Sequence, residues 1–195
     1  MPINGAAMKI EACLTDDVAR TLLIPLWCCA TPCRANPQAA YDPVAVDVLK
    51  QLDFDFSEIR GSFREYGQVC CLAREMNLDR VVRAFLARHP EGTVINLGCG
   101  LDNTGRACDN GRCSIWNIDL PDVIELRDRL LPAGEREKNL AFDLKDPRWM
   151  DAVRTDPEDG AVLFAAGVFY YFTTEDVKSC LLYTSDAADD SLRVD

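Results

Sequence analysis

The sequence has a single histidine and few basic residues, with 21 Lys and Arg against 32 Asp and Glu, so its net charge is −11. An acidic chain without a run of Lys or Arg is a poor match for nucleic acid or for an anionic membrane surface. No apolar stretch is long enough to cross a bilayer, since residues 22–29 form a short run that contains Pro25. We therefore expect no nucleic-acid and no membrane partner, and we favour small molecules or peptides as ligands.

The N-terminus lacks the basic flank, apolar core and small-residue cleavage site of a signal peptide. A cytoplasmic location is therefore expected, where the ten cysteines would stay reduced. The spacings of Cys28, Cys29 and Cys33, and of Cys108 and Cys113, are not those of paired zinc knuckles, and His89 lies near neither group in sequence. The prediction is buried free thiols and no metal site.

Residues 1–90 are predicted to form an N-terminal helical cap. Apolar residues recur at helical spacing from Leu22 to Trp27, from Val44 to Leu52 and within residues 63–89, where His89-Pro90 is a stop signal. Prolines between residues 30 and 43 indicate a loop.

From residue 91 the pattern changes to strands that alternate with helices. Strands are predicted at residues 93–97, 114–118, 139–142 and 161–166, and the intervening helices at residues 121–131 and 147–153, with a further helix opening at Thr173 through a capping box. This alternation predicts an α/β fold with an open, Rossmann-like parallel sheet over residues 91–178.

Three successive predicted strands end in residues suited to a nucleoside. The first ends in Gly98-Cys99-Gly100, the second at Asp119 and the third at Asp143. Ligands of such sheets bind at the carboxyl ends of the strands, where glycine allows close approach and carboxylates accept hydrogen bonds from ribose and adenine. The glycines have the alternative of serving only a tight turn. Asp119 has the alternative, compatible with ribose binding, of capping the helix that follows.

The glycine turn does not favour a phosphate-bearing ligand. Asn103 stands where the dinucleotide fingerprint requires a third glycine, Asp102 would repel a phosphate, and the P-loop pattern is absent. A phosphate-free cofactor with a positive sulfonium fits this acidic site better. An NAD-type oxidoreductase remains the alternative.

Four blocks carry a resemblance to a known family. They are residues 94–102 (VINLGCGLD), 117–124 (NIDLPDVI), 142–144 (FDL) and 165–172 (AAGVFYYF). In this order and spacing they resemble the leucine carboxyl methyltransferase and polyketide-type O-methyltransferase family, over residues 22–177. The resemblance implies a Rossmann-like class I methyltransferase fold and S-adenosyl-L-methionine as the methyl donor.

The resemblance also implies roles for particular residues. Gly98 and Gly100 would line the methionine part of the cofactor, Asp119 would bind the ribose, and Asp143 with Leu144 would flank the adenine. Arg74, which begins an Arg-x-x-x-x-Asp pattern ending at Asp79, would bind the cofactor carboxylate, a group that suits the planar guanidinium. The alternative for Arg74 is an exposed helix residue paired with Glu75 or Asp79.

The chain departs from the family after the fourth strand, where Ala166-Gly167 replaces a common Glu-Gly. Tyr170 and Tyr171 are candidates for the acceptor pocket, with core packing as the equal alternative. His89 precedes the first strand and is a poor general base, so the catalytic residue stays unknown. An acceptor that is already anionic needs no base, which favours a carboxylate slightly over a hydroxyl. The oligomeric state does not follow from the sequence.

Residues 179–195 are expected to be a non-native or disordered tail. This segment breaks the helical period and resembles translated sequencing-adapter read-through, and too few residues follow the fourth strand for the remaining strands of the fold. We therefore expect the C-terminal strands to be missing, and the chain as printed to be an inactive nucleoside-binding fragment. A genuine disordered acidic tail is the alternative.

Overall fold

The computed structural model of the chain describes residues 10–11, 21–32, 42–62 and 65–180. Its helices are α1 (Leu23–Ala30), α2 (Pro43–Gln51), α3 (Ser57–Ser62), α4 (Glu65–Leu86), α5 (Thr104–Ala107), α6 (Pro121–Leu130), α7 (Arg148–Ala152) and α8 (residues 174–180). Its strands are β1 (Ile10–Glu11), β2 (Leu52–Asp53), β3 (Thr93–Leu97), β4 (Ser114–Asp119), β5 (Glu137–Ala141) and β6 (Ala161–Ala165). A 3₁₀ turn covers Phe169–Tyr171.

The main sheet is parallel throughout and has the strand order β5-β4-β3-β6. Every residue of β3 is buried, as expected for a strand covered on both faces. The predicted Rossmann-like α/β fold is therefore confirmed for this part of the chain. In the described residues β6 pairs with β3 on one side and forms an edge on the other.

The third predicted strand was placed too late in the chain. It was predicted at residues 139–142, whereas β5 spans Glu137–Ala141. The cause is that β5 opens with two charged residues. Glu137 is buried and ion-paired with Arg106, and Lys138 lies over the ring of Trp116, so neither shows the apolar pattern of a buried strand.

The N-terminal region contains the predicted helices and one feature that was not predicted. Pro43 begins α2, and Asp42 Oδ1 caps it by accepting from Val44 N at 2.9 Å. Leu52 does not continue α2 as the helical spacing suggested. Its backbone turns to an extended conformation and pairs in parallel with Ile10 in the small β1–β2 sheet, while its side chain stays buried. The predicted loop falls largely on residues 33–41, which lie outside the described residues.

Apolar clusters place helices on both faces of the sheet and the cap at its carboxyl end. Val94 and Ile115 pack towards α4, whereas Ile95 and Trp116 pack towards α7 on the opposite face. A further cluster joins α1, α2 and α6 to Leu101 of the glycine loop. Helices α1 and α2 are therefore held against the loop that follows β3.

The capping box predicted at Thr173 is confirmed. Asp176 N donates to Thr173 Oγ1 at 3.2 Å, and Thr173 N donates to Asp176 Oδ2 at 3.0 Å, so each residue satisfies a free N–H of the other at the start of α8. Residues 181–195, which make up most of the predicted tail, lie outside the described residues. Among the helices that the structure describes, none is both long and apolar enough to cross a membrane.

Candidate functional site

A cavity of about 510 Å³ lies at the carboxyl ends of the strands of the main sheet. The six residues that the sequence analysis proposed for cofactor binding all line this cavity: Arg74, Gly98, Gly100, Asp119, Asp143 and Leu144. They come from α4 and from the ends of three neighbouring strands, which parallel pairing brings to one edge. The structure therefore brings together residues that are up to seventy positions apart in sequence.

The glycine loop has a backbone that few other residues would adopt. Gly98 has φ of 63° and Gly100 has φ of 47°, both in the left-handed region. A Cβ on Gly98 would lie 2.5 Å from Val168 Cγ2, so this glycine is also required by close packing. Gly98 N and Cys99 N both donate to Ile118 O, which ties the loop to the end of β4. The tight-turn interpretation of the glycines holds, and the turn borders the cavity.

Asp119 is the last residue of β4 and binds two backbone N–H groups. Its Oδ2 accepts from Gly100 N at 2.7 Å, and its Oδ1 accepts from Leu120 N at 2.8 Å. The alternative of Asp119 as the cap of α6 is wrong, because Leu120 occupies the N-cap position. Burial raises the pKa of Asp119, and the two N–H donors oppose that rise. Each oxygen keeps a second lone pair with which to accept from a ligand hydroxyl.

Asp143 and Leu144 form another wall of the cavity. Asp143 is exposed, and its Oδ1 accepts from Lys145 N at 2.9 Å in a local turn. Leu144 is buried and packs in the cluster that contains Ile118 and Trp149. The pair therefore combines a polar rim with an apolar wall.

Arg74 is both paired on its own helix and part of the cavity wall. Its Nε and Nη2 donate to Glu75 Oε1 at 3.2 and 2.9 Å. This is the pairing with Glu75 that was the alternative interpretation of Arg74. Its Nη1 lies 3.0 Å from the place that a Cβ on Gly167 would occupy, and Gly167 borders the same cavity. The side chain is one-third exposed. The guanidinium therefore presents its Nη1 side to the cavity.

Arg127 supports the glycine loop and was missed in the sequence. It is 1% exposed, and its Nη1 donates to Gly100 O at 3.0 Å and to Asp102 O at 2.6 Å. The available signal was its position on α6, where it falls on the same helical face as the apolar Val123 and Leu130. A basic residue on a buried face needs buried acceptors. Here they are the two loop carbonyls, with Asn139 Oδ1 and the Glu137 carboxylate on β5 beside them.

A second cavity of about 310 Å³ adjoins the first across Arg74, Gly98 and Gly100, which line both. Apolar residues of α1 form one wall, and Asp42, Glu75, Asp79 and Asp102 contribute carboxylates. Burial and the neighbouring Asp102 raise the pKa of Glu75 to about 7, although Arg74 opposes the rise. This side of the site is acidic and disfavours an anionic ligand.

Two tyrosines border the larger cavity and are not core residues. Tyr170 is 90% exposed, and the Tyr171 hydroxyl lies 2.7 Å from Oγ1 of Thr21, which precedes α1 and also borders the cavity. The core-packing alternative for these residues is therefore wrong. His89 stacks on Phe85 with ring centroids 4.8 Å apart and borders neither cavity.

Five buried cysteines in the described parts of the chain are free thiols: Cys28, Cys71, Cys99, Cys108 and Cys113. Cys33, one of the residues considered for a metal, lies outside those parts. Within them, no group of three or more His, Cys, Asp or Glu side chains is arranged to hold a metal ion.

Comparison with known proteins gives consistent likenesses. A family model for leucine carboxyl methyltransferase matches residues 28–184. The chain is similar to the tetracenomycin polyketide synthesis O-methyltransferase TcmP of Streptomyces glaucescens, with 34% identity over 173 residues that cover 88% of this chain and 62% of that protein. A crystal structure from Thermobifida fusca YX, of a protein provisionally described as a methyltransferase, shares the fold with a TM-score of 0.54 at 22% identity, over 72% of this chain and 59% of that one. The chain thus spans about three fifths of the length of these relatives.

Proposed function

Because the chain belongs to the leucine carboxyl methyltransferase family, we propose that it binds S-adenosyl-L-methionine as part of an enzyme that methylates an oxygen atom. The observation that carries the proposal is the convergence of Arg74, the glycine loop, Asp119 and Asp143 on one cavity. The family match and the likeness to an O-methyltransferase support methyl transfer and give no support to the alternative of an NAD-type oxidoreductase.

The residues present fit this cofactor. Gly100 has no side chain between the backbone and the cavity, and Asp119 keeps lone pairs for the two ribose hydroxyls. Leu144 offers an apolar surface to the adenine, and Asp143 offers a carboxylate at its edge. Arg74 supplies a cation for the carboxylate of the amino-acid end. The excess of carboxylates around the joined cavities favours a ligand with a positive sulfonium over a dinucleotide.

The cofactor, when bound, supplies a methyl group on a positively charged sulfur, and the protein acts by holding both partners and excluding water. Apolar side chains of α1 and the aromatic residues 170–172 enclose the larger cavity. We propose that these aromatic residues receive a small-molecule or peptide acceptor whose oxygen, in a carboxylate or a hydroxyl, takes the methyl group. No catalytic base is assigned, since His89 borders neither cavity.

The proposal extends to the organisation of the chain. We propose a helical cap over residues 1–90 and a Rossmann-like core that begins at residue 91, in line with the packing of α1 and α2 on the loop after β3. We also propose a cytoplasmic location, which the free thiols of the five buried cysteines named above support.

Titration with two ligands tests the proposed function. The protein should release heat on binding S-adenosylhomocysteine and should not bind NAD, because its glycine turn lacks the pattern that holds a pyrophosphate. Isothermal titration calorimetry of both ligands at the same protein concentration measures this difference. Binding of NAD in preference to S-adenosylhomocysteine would refute the proposal and restore the oxidoreductase alternative.

Replacing Arg74 with Lys tests the role of the guanidinium. Lysine keeps the charge but not the planar fork, so the affinity for S-adenosylhomocysteine should fall, whereas methylthioadenosine, which lacks the amino-acid end, should bind the variant and the parent alike. Calorimetry with both ligands on both proteins measures the two ratios. If both ligands lose affinity equally, the substitution has disturbed the fold and Arg74 makes no specific contact with the carboxylate.

A further inference from the structure

Glu75 lies beside Arg74 at the junction of the two cavities. Its side chain is 15% exposed and borders the smaller cavity, whereas Arg74 borders both. Gly167, which lies close to Arg74 Nη1, and Ala166, which lines both cavities, carry no side-chain hydrogen-bond acceptor. Glu75 is therefore the carboxylate that directly accompanies Arg74 at this end of the site.

One oxygen of Glu75 has no short hydrogen bond. Oε1 accepts twice from Arg74, but the contact of Oε2 is Thr104 Oγ1 at 3.4 Å. That hydroxyl has a single proton and lies 2.7 Å from Asp102 Oδ1, the better acceptor. The other neighbour of the Glu75 side chain is the carboxyl group of Asp102, which has no N–H to donate. While both acids are ionised, the described residues thus give Oε2 no strong donor. A carboxylate that is mostly buried is costly to leave in this state.

Asp102 differs from Glu75 in this respect. It accepts from Asn96 Nδ2 at 2.5 Å and from both the backbone N and the hydroxyl of Thr104, so its oxygens are satisfied within the protein. The two carboxylates nevertheless lie close enough for Asp102 to raise the pKa of Glu75. Arg74 supplies a single positive charge next to these two acids. A small cation with N–H donors would supply what Glu75 lacks.

We propose that Glu75 binds the α-ammonium group of S-adenosyl-L-methionine, next to the carboxylate that Arg74 holds. This inference rests on the proposed function and assigns a side chain to the ammonium group, for which the proposed function names no partner. Arg74 and Glu75, which are adjacent on one helix, would then bind the carboxylate and the ammonium group of the cofactor's amino-acid end.

Three ligands that differ at the amino-acid end test the assignment. They are S-adenosylhomocysteine, its deamino analogue, which keeps the carboxylate and lacks the amine, and methylthioadenosine, which lacks both. Glu75→Gln should weaken S-adenosylhomocysteine about tenfold or more, as for loss of a charge-assisted hydrogen bond, and leave the other two unchanged. Glu65→Gln, an exposed acid at the start of the same helix, is the matched control and should change none of the three.

Each other outcome has a defined meaning. Equal losses for S-adenosylhomocysteine and its deamino analogue would show that Glu75 only orients Arg74, and no loss at all would show that it does neither; both results overturn the inference. If the Gln variant does not fold, Glu75→Asp carries the test, because the shorter acid should weaken S-adenosylhomocysteine more than the deamino analogue. Failure of the parent to bind S-adenosylhomocysteine would instead overturn the proposed function, and this inference with it.

Discussion

Replacement of Arg127 with Met is expected to lower the free energy of unfolding by about 3–5 kcal/mol, since it removes three hydrogen bonds and an ion pair with Glu137 from a buried site. Methionine fills much of the space of the arginine stem, so the loss comes from the polar partners of the guanidinium. Gly100 O and Asp102 O would have no donor in its place, and Glu137 would lose one of its two cationic neighbours. Urea denaturation followed by tryptophan fluorescence measures the change. The same variant should bind S-adenosylhomocysteine more weakly, because the glycine loop loses its support.

The matched control is Arg129→Met on the same helix. Arg129 is exposed, so its loss should change the unfolding free energy by no more than about 0.5 kcal/mol. If Arg127→Met costs no more than this control, the buried arginine is not what holds the loop.

Asp119→Ala is expected to weaken binding of S-adenosylhomocysteine about 10- to 150-fold, the range for losing hydrogen bonds worth about 1.5–3 kcal/mol. Methylthioadenosine also carries the ribose and should lose affinity to the same extent, in contrast to its behaviour with Arg74→Lys. Calorimetry on both ligands measures this.

Because Asp119 also binds Gly100 N, the ribose contact must be separated from an effect on the loop. A ligand that lacks both ribose hydroxyls should bind Asp119→Ala and the parent alike if the carboxylate acts through the ribose. If it loses as much affinity as methylthioadenosine, the carboxylate acts only on the loop. Asp122→Asn, three positions further along, is the control and should leave the binding of all these ligands unchanged.

The strands of the core could be predicted from the sequence where their buried residues are also apolar. Residues 93–97 form an uninterrupted apolar and β-branched run that ends in glycine, and the structure has β3 at those residues. The start of β5 did not follow, because the charge of Glu137 is neutralised by Arg106, a residue distant in sequence. Local pattern cannot reveal a partner that only the folded chain brings near.

The candidate site, too, could be predicted only in part from the sequence. Glycines and acids at strand ends are recognisable because the topology of a parallel sheet alone brings such positions together, and Gly98, Asp119 and Asp143 were found by that argument. Arg127 and Glu75 were not found. Arg127 gave one signal, its place on the apolar face of α6, and Glu75 entered only as an ion-pair partner of Arg74. The importance of both depends on which loop the helix packs against.

The strand order has a consequence for how the chain is made. Thr93 of β3 pairs with Ser114 of β4 and with Ala161 of β6, and the second partner leaves the ribosome much later than the first. At about 5–20 residues per second, β3 and β4 are both available for some seconds before β6 is complete. During that interval the nascent sheet has an open apolar edge at Val94 and Ile95, which other nascent chains can pair with. The yield of folded protein should therefore depend on the speed of translation across residues 114–165, and slow elongation there should favour aggregation.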